Sequence, residues 1–191
     1  FGDSKVVDAE GKPLVVYHGT MDDVEAFDEN KGYKADPGWL GRGFYFTTNP
    51  DTARYYATNA KVGKAAPNIM PVFLSLKNPY YATTKDKEHG ALQSFGNKSE
   101  YAINRRKELI EQGYDGVILD FSQGGWAQEK EIVVFNPEQI KSATGNNGDF
   151  DPSNPDIRYS KSAVIGDSGR NYNADQRNFF KNVGREVERK N

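Results

Sequence analysis

The sequence lacks cysteine altogether and has only two histidines among its 191 residues. The absence of cysteine excludes a disulfide framework, a thiolate metal site and a cysteine nucleophile. The two histidines, His18 and His89, are far apart in the sequence and form no pair with metal-ligand spacing. We therefore expect a protein without a metal site.

Long apolar runs and a marked excess of one charge are also missing. No segment approaches the roughly 20 apolar residues of a membrane-spanning helix, and the first residues lack the pattern of a signal peptide, so we expect no membrane partner. The net charge of −2 argues against a broad electrostatic surface for nucleic acid. The length fits one domain, which we expect to be monomeric.

The chain begins at Phe1 without a methionine before Met21, and so looks like a segment of a longer protein. Its composition changes near the other end. Residues 170–191 contain six lysines or arginines against three acidic residues. We predict a domain over residues 1–160 and a polar, locally basic appendage over residues 161–191, which can include a helix.

The stretch from Gly41 to Tyr56 predicts a strand followed by a helix. Its first half alternates, which places Arg42, Phe44 and Phe46 on one face of the strand. Tyr45 then points to the opposite face. Two phenylalanines can therefore enter a core while the tyrosine next to them is offered to something else.

The helix is predicted to start at Pro50, because Asn49 is a good N-cap and proline suits the first helical position. Ala53 and Tyr56 then share one stripe of the helix, so a tyrosine ring stands beside a small neighbour. Tyr45 and Tyr56 are thus presented across a strand-to-helix turn. Such a pair suits a flat ligand ring held between two aromatic faces.

Two other predicted strands place polar residues at their ends. The segment from Leu14 to His18 is predicted as the second strand of a hairpin, with His18 at its rim. Gly19 follows, and a glycine lets the backbone come close to a ligand. Glu131 opens the last strong strand, which runs to Phe135.

Two segments carry no clear periodicity. From Asp22 to Phe27 we predict a short helix, followed by a loop that can cover the Tyr45 strand. From Tyr80 to Lys98 the chain is polar and is predicted to be an irregular, exposed excursion.

Three motifs, separated in the sequence, form a recognisable set. They are Tyr17-His18-Gly19-Thr20, then Gly43-Phe44-Tyr45 with Tyr56 eleven residues after Tyr45, and then Glu131. In this order and spacing they resemble the His-Tyr-Glu class of ADP-ribosyltransferases, which includes diphtheria toxin and the poly(ADP-ribose) polymerases. The run from Gly145 to Ser160 resembles the closing segment of transferase domains in phage and prophage polyvalent proteins.

The resemblance, which covers roughly Ser4 to Ser160, implies a fold and an activity. The implied fold is α+β, with a split, mainly antiparallel sheet and peripheral helices around an NAD cleft. The implied activity is mono-ADP-ribosyl transfer: cleavage of the nicotinamide–ribose bond of NAD and transfer of ADP-ribose to a macromolecular acceptor, a protein rather than a nucleic acid. It also suggests a phage or prophage toxin or effector that acts in the cytoplasm and is delivered within a polyprotein.

The resemblance also assigns roles to residues. Glu131 matches the catalytic glutamate, whose carboxylate stabilises positive charge on the ribose. Tyr45 and Tyr56 match the two rings that sandwich the nicotinamide. His18 matches the histidine that binds ribose hydroxyls, and the Gly19 backbone matches the group that binds the carboxamide. The predicted catalytic set is His18, Tyr45 and Glu131. The predicted NAD-binding set is His18, Gly19, Thr20, Arg42, Tyr45, Ala53 and Tyr56.

Trp126 and Glu129 raise the question of the acceptor. Arginine-directed transferases carry a second acid two positions before the catalytic one, after a loop aromatic, and these two residues have that spacing before Glu131. A carboxylate there could bind a guanidinium through two hydrogen bonds. Those enzymes, however, have arginine where this chain has His18, so the pattern is mixed.

Other interpretations of the same residues stay open. A histidine at a strand end is often structural, tyrosines are often core residues, and a glutamate opening a strand is often a solvated charge. At the level of function, the alternatives are an NAD glycohydrolase, which transfers ADP-ribose to water, and an inactive NAD-binding or structural module of a virion polyprotein.

Overall fold

The computed structural model of the chain describes residues 2–21, 24–28, 38–59, 67–94, 97–124, 128–146 and 153–157. Within them lie three α-helices: α1 (Pro50–Asn59), α2 (Thr84–Gln93) and α3 (Lys98–Glu111). The same residues form seven strands: β1 (Val16–Thr20), β2 (Phe44–Thr47), β3 (Asn68–Leu74), β4 (Pro79–Ala82), β5 (Gly116–Asp120), β6 (Lys130–Val134) and β7 (Ile140–Ser142). None of these three helices has the length and apolar character needed to cross a membrane.

The strands form one sheet in the order β4-β5-β6-β2-β1-β3-β7. Only β4 and β5 pair in parallel; the other neighbours are antiparallel. In the middle, β1 and β2 share the single register pair Tyr17 with Thr47, whereas β1 pairs with β3 over five residues. The predicted α+β class with a mainly antiparallel sheet is confirmed, and its weakest junction lies between β1 and β2.

The two faces of the sheet bury different residues. In the ladder between β2 and β6, Phe44 lies opposite Val134 and Phe46 opposite Ile132. These four side chains belong to a first core, which also contains Val16. The intervening residues face the other way, toward a second core built with α3; its buried members are Leu40, Leu109, Val117, Leu119, Val133 and Phe135.

Helix α1 begins where the sequence predicts. The Asn49 side chain accepts a hydrogen bond of 2.9 Å from the Asp51 amide, and Pro50 is the first helical residue. Ala53 and Ala57 are buried on the helix face that packs on β1. A methyl group on Gly19 of β1 would lie 1.8 Å from the carbonyl oxygen of Ala53. The helix can lie directly on the strand because this position has no side chain.

The prediction of an irregular segment from Tyr80 to Lys98 is wrong. The structure has strand β4 and helix α2 there, and Thr83 caps α2 through a reciprocal pair of hydrogen bonds with Asp86. Of the residues in α2, only Gly90 is buried. The helix therefore has no apolar stripe from which it could be recognised.

The short helix predicted from Asp22 to Phe27 is also absent from the part of this segment that the structure describes. Asp22 and Asp23 lie outside the described residues. Residues 24–28 are not helical, and Ala26 instead forms an antiparallel bridge with Asp156.

Residues 153–157 close the far edge of the sheet. Lys141 of β7 is fully buried, and its ammonium donates hydrogen bonds to the backbone carbonyls of Asn154 and Asp156. The carbonyl of Ile157 accepts a bond of 2.8 Å from the Ser142 amide, and the Ile157 side chain enters the first core. This segment is therefore part of the packed unit. The predicted appendage over residues 161–191 lies outside the described residues.

The capping pair of α2 gives a prediction about stability. Thr83→Ala should lower the free energy of unfolding by about 1 kcal/mol, because the Asp86 amide loses its side-chain acceptor and the Asp86 carboxylate loses the Thr83 hydroxyl as a donor at the helix start. Urea unfolding measures this change. Thr84→Ala, one residue later, is the control and should change stability by no more than about 0.5 kcal/mol. Equal losses from the two substitutions would contradict a capping role for Thr83.

Candidate active site

The register between β2 and β6 brings Tyr45 and Glu131 to one face of the sheet. Tyr45 lies opposite Val133, and Thr47 lies opposite Glu131. Because residues two apart on a strand share a face, the tyrosine ring and the carboxylate point in the same direction. The pairing of β2 with β6 therefore brings two members of the predicted catalytic set to one side of the sheet.

Tyr45 is half-buried and its hydroxyl is held by the turn before β2. The hydroxyl donates a hydrogen bond of 2.8 Å to the carbonyl of Gly41 and accepts one of 3.1 Å from the Leu40 amide. Gly38 has a φ of +86°, and a methyl group there would lie 2.0 Å from the Tyr45 hydroxyl oxygen. The turn therefore fixes the far end of the ring, and Gly38 is required for that contact.

Helix α1 brings Tyr56 to the same side of the sheet. The hydroxyl of Thr52 donates a hydrogen bond of 3.2 Å to Glu129, just before β6. Tyr56 follows Thr52 by four residues and so lies on the same side of the helix. Its side chain is 56% exposed. An accessible tyrosine ring thus stands on the side of α1 that faces the start of β6.

His18 lies at the weak junction between β1 and β2. Its Nδ1 is 2.8 Å from the backbone carbonyl of Tyr45, and its ring packs against Phe27 and Phe46 with centroid distances of 5.1 and 5.5 Å. By strand alternation it belongs to the first-core face together with Val16. The imidazole therefore reaches Tyr45 through the backbone and from the opposite face of the sheet.

The protonation of His18 follows from these contacts. Burial lowers its pKa below the ordinary 6.5, although the bond to the Tyr45 carbonyl acts in the opposite direction. A carbonyl oxygen can only accept, so Nδ1 carries the proton of the neutral ring. Nε2 then has a lone pair and can accept a hydrogen bond from a hydroxyl group.

Glu129 is engaged by two hydroxyl groups. Thr47 donates to one carboxylate oxygen at 2.5 Å and Thr52 donates to the other at 3.2 Å. These bonds join the end of β2, the first turn of α1 and the start of β6. Trp126, which was predicted together with Glu129, lies outside the described residues.

Glu131 has a partner that the sequence did not predict. Its Oε2 forms an ion pair with the ammonium of Lys87 in α2. Both side chains are mostly buried, at 19% exposure for Glu131 and 24% for Lys87. The signal that could have located Lys87 is the spacing from Thr83 to Asp86, which is typical of a capped helix start and places Lys87 in the first turns.

The remaining predicted residues lie at different distances from Glu131. Ala53 is buried against Gly19, and Thr20 ends β1 opposite Asn68. Arg42 precedes β2, whose first residue is Phe44, and its amide donates to Ala102 of α3. Since Glu131 pairs with the last residue of β2, Arg42 lies toward the opposite end of that strand. In the part of the chain that the structure describes, no group of three acidic, histidine or cysteine residues could hold a metal.

Comparison with known proteins agrees with this architecture. A family model described as "ADP-Ribosyltransferase in polyvalent proteins" matches residues 8–150, which include every strand and helix described above. No curated protein and no solved structure matches the chain at a significant level.

The lowered pKa of His18 predicts how stability depends on pH. The unfolded chain binds a proton near pH 6.5, whereas folded His18 binds it only at lower pH, so stability falls as the pH drops below about 6.5. His18→Asn, which can still donate to the Tyr45 carbonyl, should reduce this acid-side loss. Urea unfolding at pH 7 and pH 5.5 tests it. His89→Asn, which removes the other histidine, controls for the loss of a histidine as such. An unchanged acid-side loss in His18→Asn would contradict the burial of this imidazole.

Proposed function

The chain belongs to the family of ADP-ribosyltransferases in polyvalent proteins, which use NAD as substrate. On that premise we propose that it is a mono-ADP-ribosyltransferase acting on a protein. In NAD the ribose carbon bonded to nicotinamide is electrophilic. The bond between this carbon and the nicotinamide nitrogen breaks, and the electron pair stays on the nitrogen. A nucleophile of the acceptor then bonds to the carbon and loses a proton. The observation that supports the proposal best is the common sheet face of Tyr45 and Glu131.

Glu131 is the proposed catalytic residue. Its carboxylate lies on the same face of the sheet as Tyr45, and it can stabilise positive charge that develops on the ribose carbon. The mostly buried surroundings strengthen this effect, because charges interact more strongly away from bulk water. Glu131 is also proposed to accept hydrogen bonds from ribose hydroxyls.

Tyr45, Tyr56 and His18 are proposed to bind and orient NAD. A cationic nicotinamide ring stacked on a tyrosine gains a cation–π interaction of about 1 kcal/mol at an accessible site. That gain disappears as the ring leaves uncharged, so the tyrosines serve binding more than rate. His18 lies on the opposite face of the sheet from Tyr45 and Glu131, so its proposed contact is with a ribose hydroxyl that reaches the junction between β1 and β2, where the Nε2 lone pair can accept a hydrogen bond. We also propose a carboxamide clamp at the Gly19 backbone, with Thr20, Arg42 and Ala53 as the remaining members of the binding set.

The biological setting is part of the proposal. Polyvalent proteins give the family its name, and this supports a phage or prophage toxin or effector that modifies a host protein in the cytoplasm. Incubation of a bacterial lysate with labelled NAD tests it against the alternatives. Label on protein is expected. Label on nucleic acid would point to another acceptor, and release of free ADP-ribose alone would point to a glycohydrolase. The absence of NAD cleavage would point to an inactive module.

Replacement of the carboxylate tests the catalytic assignment. Glu131→Gln should lower NAD turnover at least about 100-fold, the scale of losing one preorganised electrostatic group, while NAD still binds. Turnover is measured by release of labelled nicotinamide and binding by calorimetry with a non-cleavable NAD analogue. Glu88→Gln, at an exposed position on α2, should retain wild-type turnover. Wild-type turnover in Glu131→Gln would mean that another acid performs the chemistry.

Arginine is a candidate for the acceptor side chain on that protein. Glu129 precedes Glu131 by two residues, and the two threonine hydroxyls use only two of the roughly four lone-pair sites of its carboxylate. The remaining sites can accept two hydrogen bonds from a guanidinium. Trp126 is proposed to assist in recognising such an acceptor.

A charge substitution at Glu129 tests the arginine hypothesis. Glu129→Gln keeps an oxygen for Thr47 but weakens guanidinium binding, so transfer to a small guanidine acceptor such as agmatine should fall about 10-fold or more. NAD cleavage without acceptor should stay within about threefold of wild type, because Glu131 is intact. Glu138→Gln is the matched control. Unchanged transfer to every acceptor would rule out recognition through Glu129.

A further inference from the structure

Lys87 contacts the proposed catalytic acid, yet it belongs to none of the three motifs that define the site. It lies on α2, an element that carries none of the predicted site residues, and its ammonium pairs with Oε2 of Glu131. We propose that Lys87 is a positioning residue that holds the Glu131 carboxylate in its productive orientation. This inference rests on the function proposed above.

The first turn of α2 is fixed firmly enough for this role. Asp86, the residue before Lys87, accepts hydrogen bonds from the Thr83 amide and hydroxyl at 2.7 and 2.6 Å and from the Tyr80 hydroxyl at 2.9 Å. Burial alone would raise the pKa of Asp86, but these bonds and the nearby Arg105 hold it below its ordinary value. The start of the helix is thereby attached to β4, and the direction of Lys87 is set by that attachment.

Aromatic rings surround the ammonium of Lys87. Its Nζ lies 4.9 Å from the ring centroid of Phe121, which follows β5, and 5.9 Å from that of Trp39. The Nζ of Lys98 lies 4.6 Å from the centroid of the same Trp39 ring. Such rings attract a positive charge, so they help to hold the ammonium beside the Glu131 carboxylate.

The ion pair leaves half of the carboxylate available. Lys87 engages Oε2, and across the described residues no hydrogen bond reaches Oε1 of Glu131. Anchoring one oxygen restricts rotation of a side chain that would otherwise adopt several rotamers. A catalytic group must be held within about 0.5 Å of its productive position. Oε1 is then the oxygen presented to the ribose.

The charge of Lys87 has an opposite effect, which makes the proposal testable. A positive ammonium beside the site repels the positive charge that develops on the ribose. If repulsion outweighed orientation, removal of the charge would accelerate NAD cleavage. If orientation dominates, as we propose, removal slows it.

The experiment compares Lys87→Met, which keeps the chain through the ε position but removes the charged amine, with Lys87→Arg, which keeps the charge. Lys85→Met, on the exposed side of α2, is the control. Lys87→Met should lower kcat for NAD cleavage about 10- to 100-fold, while KM stays within about threefold. Lys87→Arg should recover part of the loss, and Lys85→Met should match wild type. In the Glu131→Gln background, Lys87→Met should cause no further loss, because its partner is already altered.

A second measurement does not depend on activity. In a double-mutant cycle of unfolding free energies, the losses from Lys87→Met and Glu131→Gln should not add, since both remove the same ion pair. If the wild-type protein fails to cleave NAD while this coupling is present, the proposed function is wrong but the contact stands. If the wild type cleaves NAD and Lys87→Met has an unchanged or higher kcat, the positioning role is overturned. It is also overturned if mass spectrometry finds ADP-ribose attached to Lys87 itself.

Discussion

The antiparallel register between β2 and β6 is the constraint on which the site depends. Thr47 opposite Glu131 and Tyr45 opposite Val133 put a ring and a carboxylate on one face, while Phe44 fills the core on the other. A shift of one residue in either strand would exchange the faces and bury the carboxylate among apolar side chains. The same alternation that stabilises the first core therefore also presents the polar residues, so the packing and the chemistry of this sheet cannot be changed independently.

Close backbone contact completes the site. Because Gly19 has no side chain and Ala53 and Ala57 are small, α1 lies directly on β1 and presents Tyr56 beside the sheet. The neighbouring junction of β1 with β2 is weak, with a single register pair, and the ring of His18 bonds to the Tyr45 carbonyl there. A partly buried neutral imidazole thus takes part in joining the two halves of the sheet.

Strands β1, β2 and β6 and helix α1 could be predicted from local signals, such as the alternation around Tyr45, the cap at Asn49 and the apolar run after Glu131. Strand β4 was missed, because it lies in a polar segment without clear periodicity. The ion pair between Lys87 and Glu131 could not be predicted in this way, because it depends on where α2 packs, and α2 has no apolar stripe. The position of His18 on the opposite face from Tyr45 likewise follows from pairing between strands. Family resemblance supplied the roles of the residues, whereas the partner of Glu131 became visible only in three dimensions.

The buried lysine at the sheet edge bears on where this domain can be cut. The family match stops at residue 150, but Lys141 donates to the carbonyls of Asn154 and Asp156. Truncation at the end of the match would remove two acceptors from a fully buried ammonium, which is costly away from water. It would also remove Ile157 from the first core. A fragment that keeps this packing must therefore extend through Ile157, several residues beyond the end of the family-model match.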